Sequence, residues 1–587
     1  MRRTNARVVT NDALRKGLRV IAPAFATAII FSFFLNLLMF VSPLYMLQIY
    51  DRVLGTRNLA TLAGLTAIAA ALLMVWAGLE TLRSRLLVQA GVLFDERFAA
   101  PMFKVVYQGI LLQPDAIGQQ NLRDVDTIRE FLTGSGLIAF CDAPWFPVFI
   151  LAAFVLHPWF GVIAIVGGLT TLGLALLNEI ATRKTLLDAS RASMTAAQSA
   201  QSTFRNSEVV QAMGMVDSLI GRWSRHHSRV LALQARASDR AGAIVAFTKF
   251  FRMLLQTMIL GVGAYLAVQH EISAGMMIAA SILIGRALQP IELAVANWKG
   301  FLGAREAFGR VSGLLALVGA EPERMSLPRP QGSVTVENIV AGAPGGRAPI
   351  LRGVSFAVGA GELLGVVGPS AAGKSSLARV LVGVWRVTAG AVRLDGSDLM
   401  HWDPRALGRH LGYLPQDVEL FGGTVAENIA RFEEIDDEAV IAAAALAGCH
   451  ELIQNLPDGY NTHIGENGHV LSGGQRQRIG FARSLYRMPS LIVLDEPNAN
   501  LDAAGEEALL AALQKLKTMG VTVILVTHKV NILSMVDKLL ILQEGMVQTF
   551  GARDEILRRV TGPKVVRNVS GSGAAAVAAT NEKASQS

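Results

Sequence analysis

Residues 368 to 375 read Gly368-Pro369-Ser370-Ala371-Ala372-Gly373-Lys374-Ser375, with Ser376 directly after. An apolar run, Leu363-Leu364-Gly365-Val366-Val367, precedes this loop, and a helix-like stretch, Leu377-Ala378-Arg379-Val380-Leu381, follows it. Glycines at both ends let the backbone curl until successive N–H groups point at one centre. The helix start adds the positive end of its dipole. That chemistry is phosphate binding: Lys374 would reach the β- and γ-phosphates, and the Ser375 hydroxyl would ligate Mg²⁺. A plain glycine-rich turn would not need a strand before it and a helix after it.

A second group lies downstream. Leu491-Ile492-Val493-Leu494 is a continuous apolar run that ends in Asp495-Glu496, as a buried parallel strand would deliver two carboxylates to the C-terminal edge of a sheet. Asp495 is then placed for Mg²⁺ and Glu496 for polarising an attacking water. Taken alone, such a pair is most often a solvated strand end. Its position after a phosphate loop favours the catalytic role.

Between the two stands Leu471-Ser472-Gly473-Gly474-Gln475, and this combination in this order resembles the nucleotide-binding domain of ATP-binding cassette (ABC) transporters over about 333 to 560. The resemblance implies ATP as substrate and Mg²⁺ as cofactor. It also implies roles at matching positions. Gln416 matches the glutamine that senses the metal and touches the membrane domain, and Ser472, Gly473, Gly474 and Gln475 match the signature that meets the γ-phosphate from the opposite subunit. Asp502 matches the aspartate that couples two sites across a dimer, and His528 the histidine that holds the γ-phosphate. The family also places an aromatic before the phosphate loop to stack on adenine. Here the matching stretch is Ala341-Gly342-Ala343-Pro344-Gly345-Gly346, so loose selectivity between ATP and GTP is expected.

Composition indicates how this site is carried. Mean hydropathy is +0.40, 52% of residues are hydrophobic and 17% charged, which is membrane composition rather than one large soluble core. Six apolar segments can hold spans of about 20 residues: near 23–47, 59–81, 136–156, 158–178, 244–268 and 273–296. Arg2, Arg3, Arg7, Arg15, Lys16 and Arg19 crowd the N-terminal arm, and the connections 82–135 and 179–243 are rich in Arg and Lys. By the positive-inside rule, that arm, both connections and the ATPase domain are cytoplasmic. The net charge of +8 is spread beside membrane spans, where it meets the headgroups of membrane lipids; no nucleic-acid partner is expected. Cys141 and Cys449, the only cysteines, imply neither a disulfide framework nor a metal cluster.

The expected fold class is an α-helical six-span transmembrane domain fused to an α/β P-loop ATPase (ABC nucleotide-binding) domain. Its parts are an N-terminal arm over 1–19, the membrane domain over 20–320, the ATP-binding domain over 333–560 and a disordered tail over 563–587. Asp124–Phe131 and Val216–Trp223 are expected to be the short coupling helices that rest on the ATPase domains. In or beside the spans, Asp142, Lys249, Arg252, Arg286 and Glu292 are pathway-lining groups, pairs at bundle interfaces or side chains snorkelling near helix ends.

One phosphate loop and one signature per chain make half a transporter, so a homodimer is expected. Gln416 to Ile429 and Ile464-Gly465-Glu466-Asn467-Gly468 resemble the exporter form of the cassette. Pro43 to Leu54, Asp142-Ala143-Pro144-Trp145, His157-Pro158-Trp159 and Gly285 to Glu292 resemble the inner-membrane ATPase of bacterial type I secretion systems, in the branch that exports metalloproteases. That resemblance implies a secreted protein substrate, a periplasmic adaptor and an outer-membrane channel as partners. No cysteine precedes Cys141, so no cysteine peptidase is expected ahead of the first span, and the export signal is expected to remain uncleaved. The alternative is a lipid or small-molecule exporter of the same architecture.

Overall fold

The computed structural model describes residues 22–114, 120–319, 327–346, 348–465, 468 and 470–561. The N-terminal arm, most of the interdomain linker and the C-terminal tail lie outside them. The chain divides into two compact units, Met1–Glu321 and Pro322–Ser587.

The first unit is helical. Six helices are long and apolar enough to cross a membrane: α1 (Ala22–Thr56), α2 (Leu59–Leu112), α4 (Ser135–Leu156), α5 (Pro158–Arg205), α7 (Val216–Val268) and α8 (Ala274–Ala296). Three shorter helices join or follow them: α3 (Gln120–Thr133), α6 (Ser207–Ala212) and α9 (Trp298–Val318). Their starts follow local chemistry. Asn58 caps α2 by accepting from the Ala60 and Thr61 amides, His157 caps α5 with Pro158 at its first position, and Ser273 caps α8 through the Met276 amide. All six expected spans are present, and α2, α5 and α7 run on far beyond membrane thickness.

Small residues let these helices approach. A Cβ on Gly168 would stand 2.3 Å from Phe146 Cζ, and one on Gly167 2.6 Å from Leu255 Cδ2, the close contact that membrane helices use in place of a hydrophobic driving force. Phe149, Phe160, Ile259, Leu283, Ile284 and Leu288 fill the buried centre. Outward-facing Val155, Leu169, Ile180 and Val268 stay exposed, as a lipid-facing surface requires.

The structure corrects the placement of the coupling helices. Asp124–Phe131 belongs to α3, which packs against α2 and α9. Asp124 is 0% exposed and accepts two hydrogen bonds from Arg310 on α9, at 2.8 and 2.7 Å, so one face of this segment is packed against the bundle. Val216–Trp223 is the opening of the continuous helix α7, and the separate short helix at that turn is α6. Removing the guanidinium would strand a buried carboxylate, so Arg310→Ala should cost about 3–5 kcal/mol. A thermal melt of the detergent-solubilised chain would reveal this, and an unchanged midpoint would refute the pairing's importance.

The second unit contains two sheets. One is six-stranded in the order β10-β9-β3-β8-β7-β6, built from β3 (Leu363–Val367), β6 (Leu411–Leu414), β7 (Leu491–Asp495), β8 (Thr522–Val526), β9 (Lys538–Gln543) and β10 (Met546–Ala552). All neighbours are parallel except β10 on β9. Strands β7 and β8 are buried at every position and β3 at all but its last, which is why they read as unbroken apolar runs. The other sheet is antiparallel, in the order β2-β1-β4-β5, from β1 (Val334–Ala341), β2 (Leu351–Val358), β4 (Ala389–Leu394) and β5 (Ser397–Asp398).

Candidate nucleotide site

Four neighbouring strands end at one edge of the six-stranded sheet, and each delivers a residue singled out from the sequence. The phosphate loop leaves β3, Gln416 follows β6, Asp495 closes β7 with Glu496 next, and His528 follows β8. The C-terminal edge of a parallel sheet is where ligands of such folds bind.

The loop geometry is set by close approach. A Cβ on Gly368 would sit 2.2 Å from the Leu542 carbonyl oxygen, and Gly373 has φ of 97°, so both positions need glycine. Ala371 also adopts a positive φ, 64°. Helix α10 (Lys374–Leu381) starts directly after Gly373. The Lys374 ammonium folds back to donate to the Gly368 and Pro369 carbonyls at 2.9 and 3.1 Å. The Ala372 amide donates to the Pro369 carbonyl, and its own carbonyl accepts from the Gly545 amide. Pro369 and Ser370 are exposed, and Ser376 is buried.

Asp495 is 1% exposed. The Ser375 hydroxyl donates to its carboxylate, while Asp495 Oδ1 is buried without a hydrogen-bond partner. An orphaned buried carboxylate oxygen beside a hydroxyl is a donor set that fits a hard divalent cation. Burial holds the Asp495 carboxyl above the ordinary carboxylate range, and nearby Glu496 adds to that, against the opposing pull of Ser375, Arg379 and Lys374. The sign follows from linkage: the folded chain binds this proton more tightly than the unfolded chain, so the metal-free domain loses stability as pH rises through the folded value. Asp495→Asn should therefore raise the metal-free melting temperature at neutral pH and abolish stabilisation by added Mg²⁺ and nucleotide. A melt series with and without the metal checks both, and retained Mg²⁺ stabilisation would exclude Asp495 as a ligand.

Glu496 joins residues far apart in the chain. Its Oε2 accepts from Gln416 Nε2 at 3.1 Å, and its Oε1 lies 3.4 Å from His528 Nε2. The backbone is left-handed here, φ 51°, and its amide donates to the Val526 carbonyl at 2.9 Å. Strain of this kind costs about 1–3 kcal/mol and persists where neighbours over-determine the geometry. Gln416, Glu496 and His528 therefore surround one small polar space beside the phosphate loop.

The signature stands apart from this group. Ser472 caps α11 (Gly473–Leu485) by a reciprocal box: its amide donates to Gln475 Oε1 at 2.8 Å and its hydroxyl accepts from the Gln475 amide at 3.3 Å. Gly473 and Gly474 lie against Asn500, where a Cβ on Gly474 would meet the Asn500 carbonyl oxygen at 2.9 Å. Among the described residues, no hydrogen bond joins 368–376 to 472–475. Asp502 caps α12 (Ala503–Thr518) through the Gly505 amide at 2.9 Å and also accepts from Arg478 on α11 at 2.5 Å. Those contacts, the Gly505 amide first, hold its carboxyl below the usual range.

Two contacts were not legible in advance. Asn498 Oδ1 accepts from the Thr527 hydroxyl at 3.1 Å, tying the loop after Glu496 to the residue before His528. Arg478 reaches Asp502 from another helix. Neither has a local spacing that would mark it. Aliphatic Leu351 and Ile350 border Gly373, where a Cβ would stand 3.1 and 3.4 Å from their side-chain carbons. Glu466 and Asn467 of the expected exporter loop lie outside the described residues.

Of the ionisable groups in the spans, Asp142 pairs with Arg83 at 2.8 Å and Glu292 with Arg252 at 3.0 Å. Asp142 is thus a bundle-interface pair.

A phosphate loop and two carboxylates at one sheet edge, with a capped glycine-rich helix start apart from them and six membrane-length helices ahead, define an ATP-driven membrane transporter. The chain belongs to the ABC transporter family: residues 351–499 match the model described as ABC transporter, and residues 25–290 match its transmembrane region. It is a multi-pass membrane protein that binds ATP and couples its hydrolysis to transport. It is 42% identical over 551 residues to the type I secretion system ATP-binding protein PrsD of Rhizobium meliloti (strain 1021), covering 94% of this chain and 95% of that one. It is 28% identical over 548 residues to the leukotoxin translocation ATP-binding protein LktB of Mannheimia glucosida, covering 92% of this chain and 77% of that protein. In fold it resembles a bacterial Atm1-family ABC exporter solved with ATP bound, with a TM-score of 0.80 at 23% identity over 92% of this chain and 97% of that one.

Proposed function

We propose that this chain is one half of a homodimeric, ATP-hydrolysing exporter of a bacterial type I secretion system. It sits in the inner membrane with its ATPase domain in the cytoplasm. It passes a protein substrate with an uncleaved C-terminal signal into a periplasmic adaptor and an outer-membrane channel. The observation that carries the half-site reading is that, among the described residues, no hydrogen bond joins the phosphate loop to the signature, whose Gly473 and Gly474 lie against Asn500. Two chains facing each other would complete two sites. The type I secretion function of PrsD and the leukotoxin translocation of LktB support a protein cargo.

In this scheme the backbone N–H groups of Ser370 to Ser376 and the Lys374 ammonium cradle the phosphates. Ser375 and Asp495 would hold Mg²⁺, with Gln416 beside them, and the ion when bound would supply positive charge to offset that of the phosphates. Glu496 polarises the attacking water, and His528 holds the γ-phosphate and the Glu496 carboxylate in register. Ser472, Gly473, Gly474 and Gln475 meet the γ-phosphate of the partner's nucleotide, and Asp502 couples the two sites. Both cysteines are buried, so neither is placed as a leader-cleaving nucleophile.

The test is secretion of a reporter fused to the last few tens of residues of a candidate cargo, in cells carrying this chain with an adaptor and a channel. Secretion that depends on all three and leaves the signal attached is expected. If the reporter stays inside while the purified chain moves labelled lipid across liposomes with ATP, the lipid-exporter alternative holds instead.

A further inference from the structure

Six polar residues lie along α7 and α8, two helices that pack against each other. On α7, Lys249, Arg252 and Gln256 recur at steps of three and four, which places them on one helical face. On α8, Arg286, Gln289 and Glu292 recur at steps of three. Two contacts bring these faces together: Arg252 Nη1 donates to Glu292 Oε2 at 3.0 Å, and Gln256 Nε2 lies 3.5 Å from where a Gly285 Cβ would stand.

The seam is cationic and incompletely satisfied. Along these stretches three cations, Lys249, Arg252 and Arg286, accompany a single carboxylate, Glu292. Lys249, Gln256, Arg286 and Gln289 are exposed, and Arg286 makes no hydrogen bond or ion pair among the described residues. Glu292 Oε1 and Arg252 Nε are buried without a partner. Gln256 and Arg286 stand near the middle of the apolar stretches 244–268 and 274–296. Charged groups at that depth are too costly to face lipid tails and lie against a water-filled path or another polar surface.

We infer that this seam is the contact surface for carboxylate-rich stretches of the polypeptide in transit, which rests on the protein-export reading above. Lys249 to Gln256 covers two helical turns, about 10 Å of rise. That length matches about three residues of an extended chain at ~3.3 Å each. Spaced cations of one sign suit a chain bearing repeated Asp or Glu side chains better than a single compact headgroup. Charge complementarity at such a surface selects partners and penalises like charges strongly.

The experiment uses the full chain with its adaptor and channel and two cargoes of equal length sharing one C-terminal signal. In one cargo the acidic residues upstream of the signal are kept; in the other they are replaced by Asn and Gln. The doubly reversed variant Lys249→Glu/Arg286→Glu should lower export of the acidic cargo about tenfold or more relative to the neutralised one. Arg286→Lys should leave the ratio at its wild-type value. Immunoblots of the membrane fraction establish that each variant is inserted, and the milder Arg286→Gln, expected to shift the ratio in the same direction, replaces the double variant if that is degraded. Equal loss of both cargoes overturns the inference. So does dissociation of the dimer, which would assign the seam to the second copy, or loss of co-purifying anionic lipid with the export ratio unchanged. If the wild-type chain exports neither cargo, the export reading falls and this inference falls with it.

Discussion

Glu496→Gln is expected to slow ATP hydrolysis about 100-fold or more while nucleotide still binds. The substitution keeps the shape of the side chain and removes only its ability to take a proton from water. Its neighbours are set by tertiary contacts: the Glu496 amide is held by the Val526 carbonyl, and Gln416 and His528 approach from separate strands. The loop that cradles phosphate is untouched, so ATP should be retained in a closed dimer. Steady-state phosphate release measured beside retention of labelled ATP checks both halves. Turnover within about twofold of wild type would remove Glu496 from the role of general base.

A mixture of two inactive chains is expected to regain activity. Lys374→Ala removes the ammonium that now caps the Gly368 and Pro369 carbonyls and would otherwise meet phosphate. Ser472→Arg breaks the capping box of α11 and puts a long side chain where the signature must meet the partner's nucleotide. Each homodimer then has two damaged sites. A heterodimer has one site with both lesions and one with neither, so the purified heterodimer is expected to show up to about half of wild-type ATPase activity if the sites act independently. Co-expression with two affinity tags and purification of the doubly tagged species makes the measurement. A purified heterodimer as inactive as its parents, together with a monomer as active as wild type, would end the shared-site proposal.

Those expectations draw on two kinds of information. Whatever depends on neighbours in the chain was legible beforehand. The phosphate loop is eight consecutive residues between a strand and a helix, and its function needs backbone amides that adjacent glycines position. The buried strands β3, β7 and β8 announce themselves because parallel strands covered on both faces cannot alternate. Six spans appear because a membrane imposes a length and a composition on each helix separately. The resemblance then supplied roles for Gln416, Asp502 and His528 that no spacing in this chain could have supplied.

Placement in the bundle was not legible in the same way. Asp124–Phe131 has the composition of an exposed cytoplasmic helix, and only the pairing of Asp124 with Arg310, far along the chain, shows that one face of it is packed. The same holds for Asp142, whose partner Arg83 comes from a different span.

By itself, then, the sequence determined the chemistry available to this protein: an anion cradle, a metal-binding pair, a candidate base and six membrane helices, each set by local spacing and burial. Only the tertiary structure decided which of these groups meet. Strand order brings Gln416, Glu496 and His528 within hydrogen-bonding or ionic reach across separations that carry no periodic signal. The tertiary structure also sets Gly473 and Gly474 of the signature against Asn500, a neighbour 26 or more residues away in the chain. The physical reason is that short-range rules act on neighbouring residues, whereas partners distant in sequence are chosen by sheet order and helix packing, which the whole chain decides together.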